Sequence, residues 1–165
     1  MTGSSIDILL ATFNGETYLR EQLDSLANQD RGDFRVLVRD DQSTDRTADI
    51  LDAYTNQLTI ERLDDREHLG VVGSFGRLLE HSAAGCMFFC DQDDVWSPAK
   101  IRRVMNTFDA YAAEHGSEAP LMVCSDAEVI DGAGHRVARS FFRHQHLSPK
   151  ATALRQLLTQ NMALG

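Results

Sequence analysis

Short apolar runs alternate along this chain with segments whose apolar residues recur every three or four positions. Residues 6–11 form an apolar run with one acid, Asp7, near its start, closed by Thr12-Phe13-Asn14-Gly15. Residues 16–28 then place Leu19, Leu23 and Leu26 on one face, so the pair predicts a strand followed by a helix. The run 34–38 repeats the strand pattern and ends in Arg39-Asp40-Asp41-Gln42. After it Ser43 suits an N-cap and Asp45 the first turn of a helix reaching Tyr54. A weaker strand over 57–63 precedes a polar stretch, and Leu69-Gly70-Val71-Val72-Gly73 leads into a helix with Phe75, Leu78 and Leu79 on its inner face. Residues 87–90 predict a fourth strand. Pro98 suits a first helical turn, Ile101, Val104, Met105 and Phe108 make the apolar stripe, and Gly116 closes the helix. A fifth strand is expected over 121–124, then a β-hairpin over 129–137 with a glycine-containing turn, a polar loop, and a last helix over 149–159.

Strands separated by helices predict an α/β fold with an open, mostly parallel sheet, helices on both faces and a small hairpin after the fifth strand. Parallel pairing requires crossovers, which helices supply. Ligands in such sheets bind beyond the carboxyl ends of the strands.

Composition narrows the function. The 165 residues are 42% apolar and 25% charged, enough for one domain, 1–165, with a sizeable core. The net charge of −9 argues against nucleic acid, which needs clustered Lys and Arg. The sequence shows neither a signal peptide nor a run long enough to span a membrane. Cys86, Cys90 and Cys124 sit in apolar runs without a paired-ligand spacing, which predicts buried reduced thiols and fits a reducing cytosol.

Against that background the polar ends of the strands stand out. Strand one ends at Thr12-Phe13-Asn14, strand two at Asp40-Asp41, and strand four at Asp91-Gln92-Asp93-Asp94. Closely spaced carboxylates repel one another unless a cation neutralises them, and oxygen ligands suit Mg²⁺ or Mn²⁺. One acidic turn alone reads more readily as a solvated turn with an Asp cap. Two at equivalent ends of one sheet, beside a polar first loop, point to a nucleotide and metal site.

Four ordered motifs, Ile8-Leu9-Leu10-Ala11-Thr12-Phe13-Asn14-Gly15-Glu16, Arg39-Asp40-Asp41-Gln42-Ser43-Thr44-Asp45, Leu69-Gly70-Val71-Val72-Gly73-Ser74-Phe75 and Phe89-Cys90-Asp91-Gln92-Asp93-Asp94-Val95-Trp96, resemble those of the family-2 glycosyltransferases of GT-A architecture, in particular rhamnosyltransferase-like bacterial members. The resemblance implies a Rossmann-like nucleotide-sugar-binding domain, with the donor half over residues 1–126 and the start of an acceptor region over 127–165. It implies that Thr12, Phe13, Asn14 and Glu16 line the nucleotide pocket with Gly70. Asp41, with Asp40, would accept the N3–H of uracil or thymine, which cytosine lacks. Asp91 would face the ribose and the metal, and Asp93 would hold Mg²⁺ or Mn²⁺ on the diphosphate. Asp94 would stand further out, as would Ser125-Asp126, which follow strand five and are placed to touch the donor sugar from there.

By the same resemblance, the partners are a UDP- or dTDP-sugar and a glycan or lipid-linked acceptor, in bacterial surface-polysaccharide assembly. The setting is cytoplasmic, with peripheral association at the inner face of the plasma membrane open to the full-length protein. The family's catalytic base lies downstream of the hairpin. No Asp or Glu follows residue 140, so the base is expected beyond Gly165.

Plainer readings stand beside several of these. Ser125-Asp126 also fits an Asx turn. Trp96 reads as a packing residue, and His144-x-His146 as a solvated loop. Arg66 and His68 suit either a phosphate or base contact, or the bare surface. A sugar-nucleotide pyrophosphorylase would need a glycine-rich basic loop after strand one, and a receiver-like regulatory module a lysine after strand five; the sequence supplies neither.

Overall fold

The computed structural model describes residues 5–116 and 121–148. The described residues divide into two compact units, the first ending at Met105 and the second beginning at Asn106.

Four parallel strands organise the first unit: β1 (Ile6–Thr12), β2 (Arg35–Asp40), β3 (Ile60–Arg62) and β4 (Cys86–Cys90), in the order β3-β2-β1-β4. The register pairs Thr12 with Asp40 and Leu10 with Cys90, so the polar ends predicted from sequence finish at one edge. The crossovers are α1 (Leu19–Ala27), α2 (Thr47–Ala53) and α3 (Gly70–His81).

Because side chains alternate along a strand, each face of the sheet takes its own helices. Leu9 and Leu37 bury against Leu78 of α3, with Ala11, Leu63 and Phe75 around them. On the opposite face, Gln22 of α1 donates to the Cys90 thiol, and Trp96 packs on Phe88 with ring centroids 5.9 Å apart. In β4 this alternation buries Cys86, Phe88 and Cys90 and leaves Met87 and Phe89 exposed. The helix α4 (Lys100–His115) begins in the first unit and continues into the second. It carries the predicted stripe and is closed by Gly116, whose φ of +88° favours glycine and whose N–H donates to the Ala112 carbonyl.

In the second unit the expected hairpin is present as β5 (Val129–Ile130) and β6 (Arg136–Ala138), paired antiparallel. The Asp131 carboxylate closes its turn by accepting from Ala133 and His135 N–H, with Gly134 at φ +78°.

Several expectations are corrected. The fifth strand is absent: residues 121–124 are part-exposed to exposed and pair with no strand among the described residues. A short apolar run permits a strand, but a strand needs a ladder partner. Cys124 is correspondingly half-buried rather than buried, whereas Cys86 and Cys90 are in the core. Ser43 is not a cap: α2 starts later, at Thr47, and Asp45 accepts the Thr47 N–H instead. Leu79 is 40% exposed, one position off the buried stripe of α3. The polar loop after the hairpin contains a short helix, α5 (Phe141–His144), capped by Ser140 accepting from Arg143 N–H. The helix expected over 149–159 lies outside the described residues.

Candidate functional site

The carboxyl edge of the sheet is built from loops that hydrogen-bond to one another. The buried Thr12 hydroxyl donates to Asp40 Oδ1 at 2.7 Å, and the Asp40 carboxylate also accepts from the Ser43 hydroxyl and N–H at 2.5 and 2.9 Å. Asn14, in the left-handed region at φ 47°, donates its N–H to Ser43 Oγ and accepts from Thr44 N–H through its side chain. The Gly15 N–H donates to Thr47 Oγ1 at 2.8 Å, and Glu16 N–H donates to Asp45 Oδ2 at 2.9 Å. The Glu16 carboxylate in turn accepts Arg46 N–H. Thr12, Asn14, Glu16 and Asp40 thus join the first two loops into one polar shelf, with the Phe13 ring 46% exposed above it.

Asp41 does different work. It is 3% exposed, and its carboxylate accepts from Arg39 Nη1 at 2.6 Å, Leu69 N–H at 2.7 Å and Gly70 N–H at 2.8 Å, while His68 Nδ1 hydrogen-bonds the Asp41 backbone carbonyl and lies 3.0 Å from the carboxylate. Burial alone would raise its pKa, but these donors outweigh burial and hold the carboxyl below its ordinary value. Gly70 sits at φ +68°, which turns its N–H toward Asp41 and starts α3. The exposed His68 ring lies 5.1 Å from that of Phe13, so the two rings flank the approach to Asp41.

The fourth strand delivers the acidic turn. Asp91 and Asp93 are exposed, and Asp94 is half-buried. Burial and then the neighbouring Asp93 raise the Asp91 pKa, while burial and Asp91 push Asp94 up to about 6. Lys100, at the start of α4, opposes both rises and rests its Nζ 3.9 Å from the Trp96 ring centroid. The donor set is hard oxygen under mutual repulsion, which fits a divalent cation held by one or two carboxylates and completed by phosphate and water. Among the described residues no three His, Cys, Asp or Glu side chains form a cage.

Other predicted positions have roles of their own. Trp96 is 3% exposed, as a packing residue should be. Arg66 is exposed, and its carbonyl accepts from Gln42 Nε2. His144 and His146 are exposed. Ser125 and Asp126 lie in the second unit, where Asp126 accepts from Ala127 and Phe142 N–H at 2.9 and 3.0 Å.

Three contributors escaped sequence reasoning. Arg39 is fully buried and joins Asp41, Asp65, Ser74 and the Glu67 carbonyl. Gln92, the middle residue of the acidic motif, faces the first loop, and Lys100 balances the acids. Arg39 ends an apolar run immediately before two acids, the one sequence signal for its buried pairing.

The family model described as glycosyl transferase family 2 matches residues 7–116. The poly(ribitol-phosphate) β-N-acetylglucosaminyltransferase TarS of Staphylococcus aureus is 30% identical over 150 residues, covering 89% of this chain and 24% of that protein. The dTDP-rhamnosyl transferase RfbG of Shigella flexneri is 36% identical over 107 residues, covering 59% and 36%. The crystal structure of S. aureus TarS 1–349 in complex with UDP-GlcNAc superposes with a TM-score of 0.57 at 26% identity, over 76% of this chain and 40% of that one. The chain spans 24% to 44% of the length of the first curated relatives it matches. With the family model covering residues 7–116 and the parallel sheet superposing on that structure, the chain belongs to glycosyltransferase family 2 and has the GT-A fold.

Proposed function

We propose that this chain is the donor-binding part of a metal-dependent, inverting glycosyltransferase that takes a UDP- or dTDP-sugar and transfers the sugar to a hydroxyl of a glycan or lipid-linked acceptor in bacterial surface-polysaccharide assembly. The observation that carries this reading is the convergence of three strand ends on one edge, where Thr12, Asn14, Glu16 and Asp40 are tied into a shelf while Asp91 and Asp93 remain exposed. The UDP-sugar named with TarS and the dTDP named with RfbG support a uracil or thymine donor.

The nucleobase would enter between Phe13 and His68. For Asp41 to accept its N3–H, the exposed His68 is the partner that gives way, because the other three donors come from the interior or the backbone. Asp93, with Asp91, would hold the divalent cation, whose chemistry is to stabilise charge on the departing diphosphate. An inverting transfer also needs a general base to take the acceptor proton.

Titration calorimetry of UDP, dTDP and CDP into the 165-residue chain, with Mn²⁺ and with chelator, tests the reading. UDP or dTDP binding that is strengthened by Mn²⁺, loses that strengthening in Asp93→Ala, and loses its preference over CDP in Asp41→Ala is the expected outcome. Equal binding of all three nucleotides by the parent, indifferent to metal, overturns it.

A further inference from the structure

The middle residue of the acidic motif is conspicuous for facing away from the acids. Gln92 turns its amide onto the first loop, where Oε1 accepts the Phe13 N–H at 2.9 Å and Nε2 donates to the Phe13 carbonyl at 3.0 Å. A side-chain amide that occupies both polar groups of one residue acts as a short piece of added strand, and its two bonds fix orientation as well as distance.

A second observation points to the same contact. A Cβ on Gly15 would lie 2.9 Å from Gln92 Cδ and closer still to Oε1, while the Gly15 backbone has no positive φ that demands glycine. The missing side chain at Gly15 is therefore the space that the Gln92 amide fills. The Gly15 N–H is meanwhile held by Thr47, so the loop cannot drift away from the amide without breaking the shelf.

On the reading above, the first loop belongs to the nucleotide and the acidic turn to the cation. We infer that Gln92 is a positioning residue that makes the loop of Phe13 and the turn of Asp91 and Asp93 move as one body, so that nucleotide and divalent cation bind cooperatively even when no phosphate bridges them. A ligand that shifts one element carries the other with it, so the second ligand meets a site already set. Gln92 acts through the loop, because both polar atoms of its amide are spent on Phe13.

Uridine is the discriminating probe, because it lacks the diphosphate through which a metal and a nucleotide would otherwise communicate. Calorimetry of uridine into the 165-residue chain, with and without saturating Mn²⁺, should show Mn²⁺ tightening uridine by about five-fold or more. In Gln92→Leu the uridine affinity with and without Mn²⁺ should agree within two-fold. A linkage that survives in Gln92→Leu, or no linkage in a parent that binds both ligands, overturns the inference.

Thermal unfolding gives a test independent of ligand. Gly15→Ala should lower the melting temperature in the parent and leave it unchanged in a Gln92→Ala background, since the clash is then gone. Additive effects of the two substitutions mean the clasp does not form in solution and overturn the inference. A parent that binds neither uridine, UDP nor Mn²⁺, yet shows this rescue, refutes the donor-site reading and with it the cooperativity, leaving a structural clasp.

Discussion

Arg39 binds several acceptors at once from a position without solvent. It is fully buried, and its guanidinium meets Asp41, Asp65, the Ser74 hydroxyl and the Glu67 carbonyl. A buried charge without its partner is far more costly than a buried pair. Arg39→Met should therefore destabilise the chain by about 3–5 kcal/mol in urea unfolding, because Asp41 is left charged and enclosed. Arg39→Lys should recover little of this, since one ammonium cannot reproduce a planar fork. A loss below 1 kcal/mol would show that water reaches Asp41 freely. At the acidic turn the expected sign is different. Lys100 is the cation that opposes the raised pKa values of Asp91 and Asp94, so Lys100→Met should move the Asp94 titration upward from about 6, as followed by carboxyl NMR. No movement would remove Lys100 from the turn's electrostatics. Sequence alone showed Asp91, Asp93 and Asp94 because like charges at one strand end are visible in one dimension. Gln92 and Lys100 were not legible because their meaning lies in what faces them across the fold, and Arg39 showed only in its place between an apolar run and two acids.

Among the elements, the sheet has a second polar feature at the end opposite the candidate site. Asp7 of β1 is buried and accepts two hydrogen bonds from Arg35 of β2 at 3.0 and 2.5 Å, while Arg35 also reaches Glu61 of β3 at 2.6 Å. The Ser82 hydroxyl, just after α3, donates to Asp7 at 2.7 Å and so joins the end of that helix to the sheet. Burial raises the Asp7 pKa, but the Arg35 and Ser82 bonds lower it further than burial lifts it. A folded pKa below the unfolded one means stability that is present above the ordinary carboxylate range and lost as pH falls through the depressed value. The urea stability of the parent should thus fall between pH 5 and pH 2 more steeply than that of Asp7→Asn, and equal slopes would rule the network out as a pH-linked contributor. The strands carrying it were legible from their apolar runs. The expected fifth strand failed because residues 121–124 carry the apolar composition of a strand without a neighbour to pair with, and pairing is a property no single segment displays.

For the whole molecule, the alternation of strand and helix made the fold class legible, because few architectures satisfy that order. What the order leaves open is how much chain the sheet requires. Every strand of the parallel sheet, and the helices from α1 to α4, lie within the first 115 residues, and the family match ends at residue 116. Gly116 ends α4 with a left-handed turn and a hydrogen bond back to Ala112, so the helix needs nothing downstream to terminate it. In the second unit, by contrast, Asp126 accepts from its neighbour Ala127 and from Phe142 of α5, Ser140 caps α5, and Asp131 closes the hairpin turn. A chain cut after Gly116 should therefore retain one cooperative unfolding transition by far-UV circular dichroism, and bind UDP with Mn²⁺ within about three-fold of the parent, a difference of under 1 kcal/mol. Loss of cooperative unfolding would show that the sheet depends on residues after 116. Cooperative unfolding with UDP affinity reduced ten-fold or more would instead assign part of the donor site to the second unit, where Ser125 and Asp126 are the residues to substitute next.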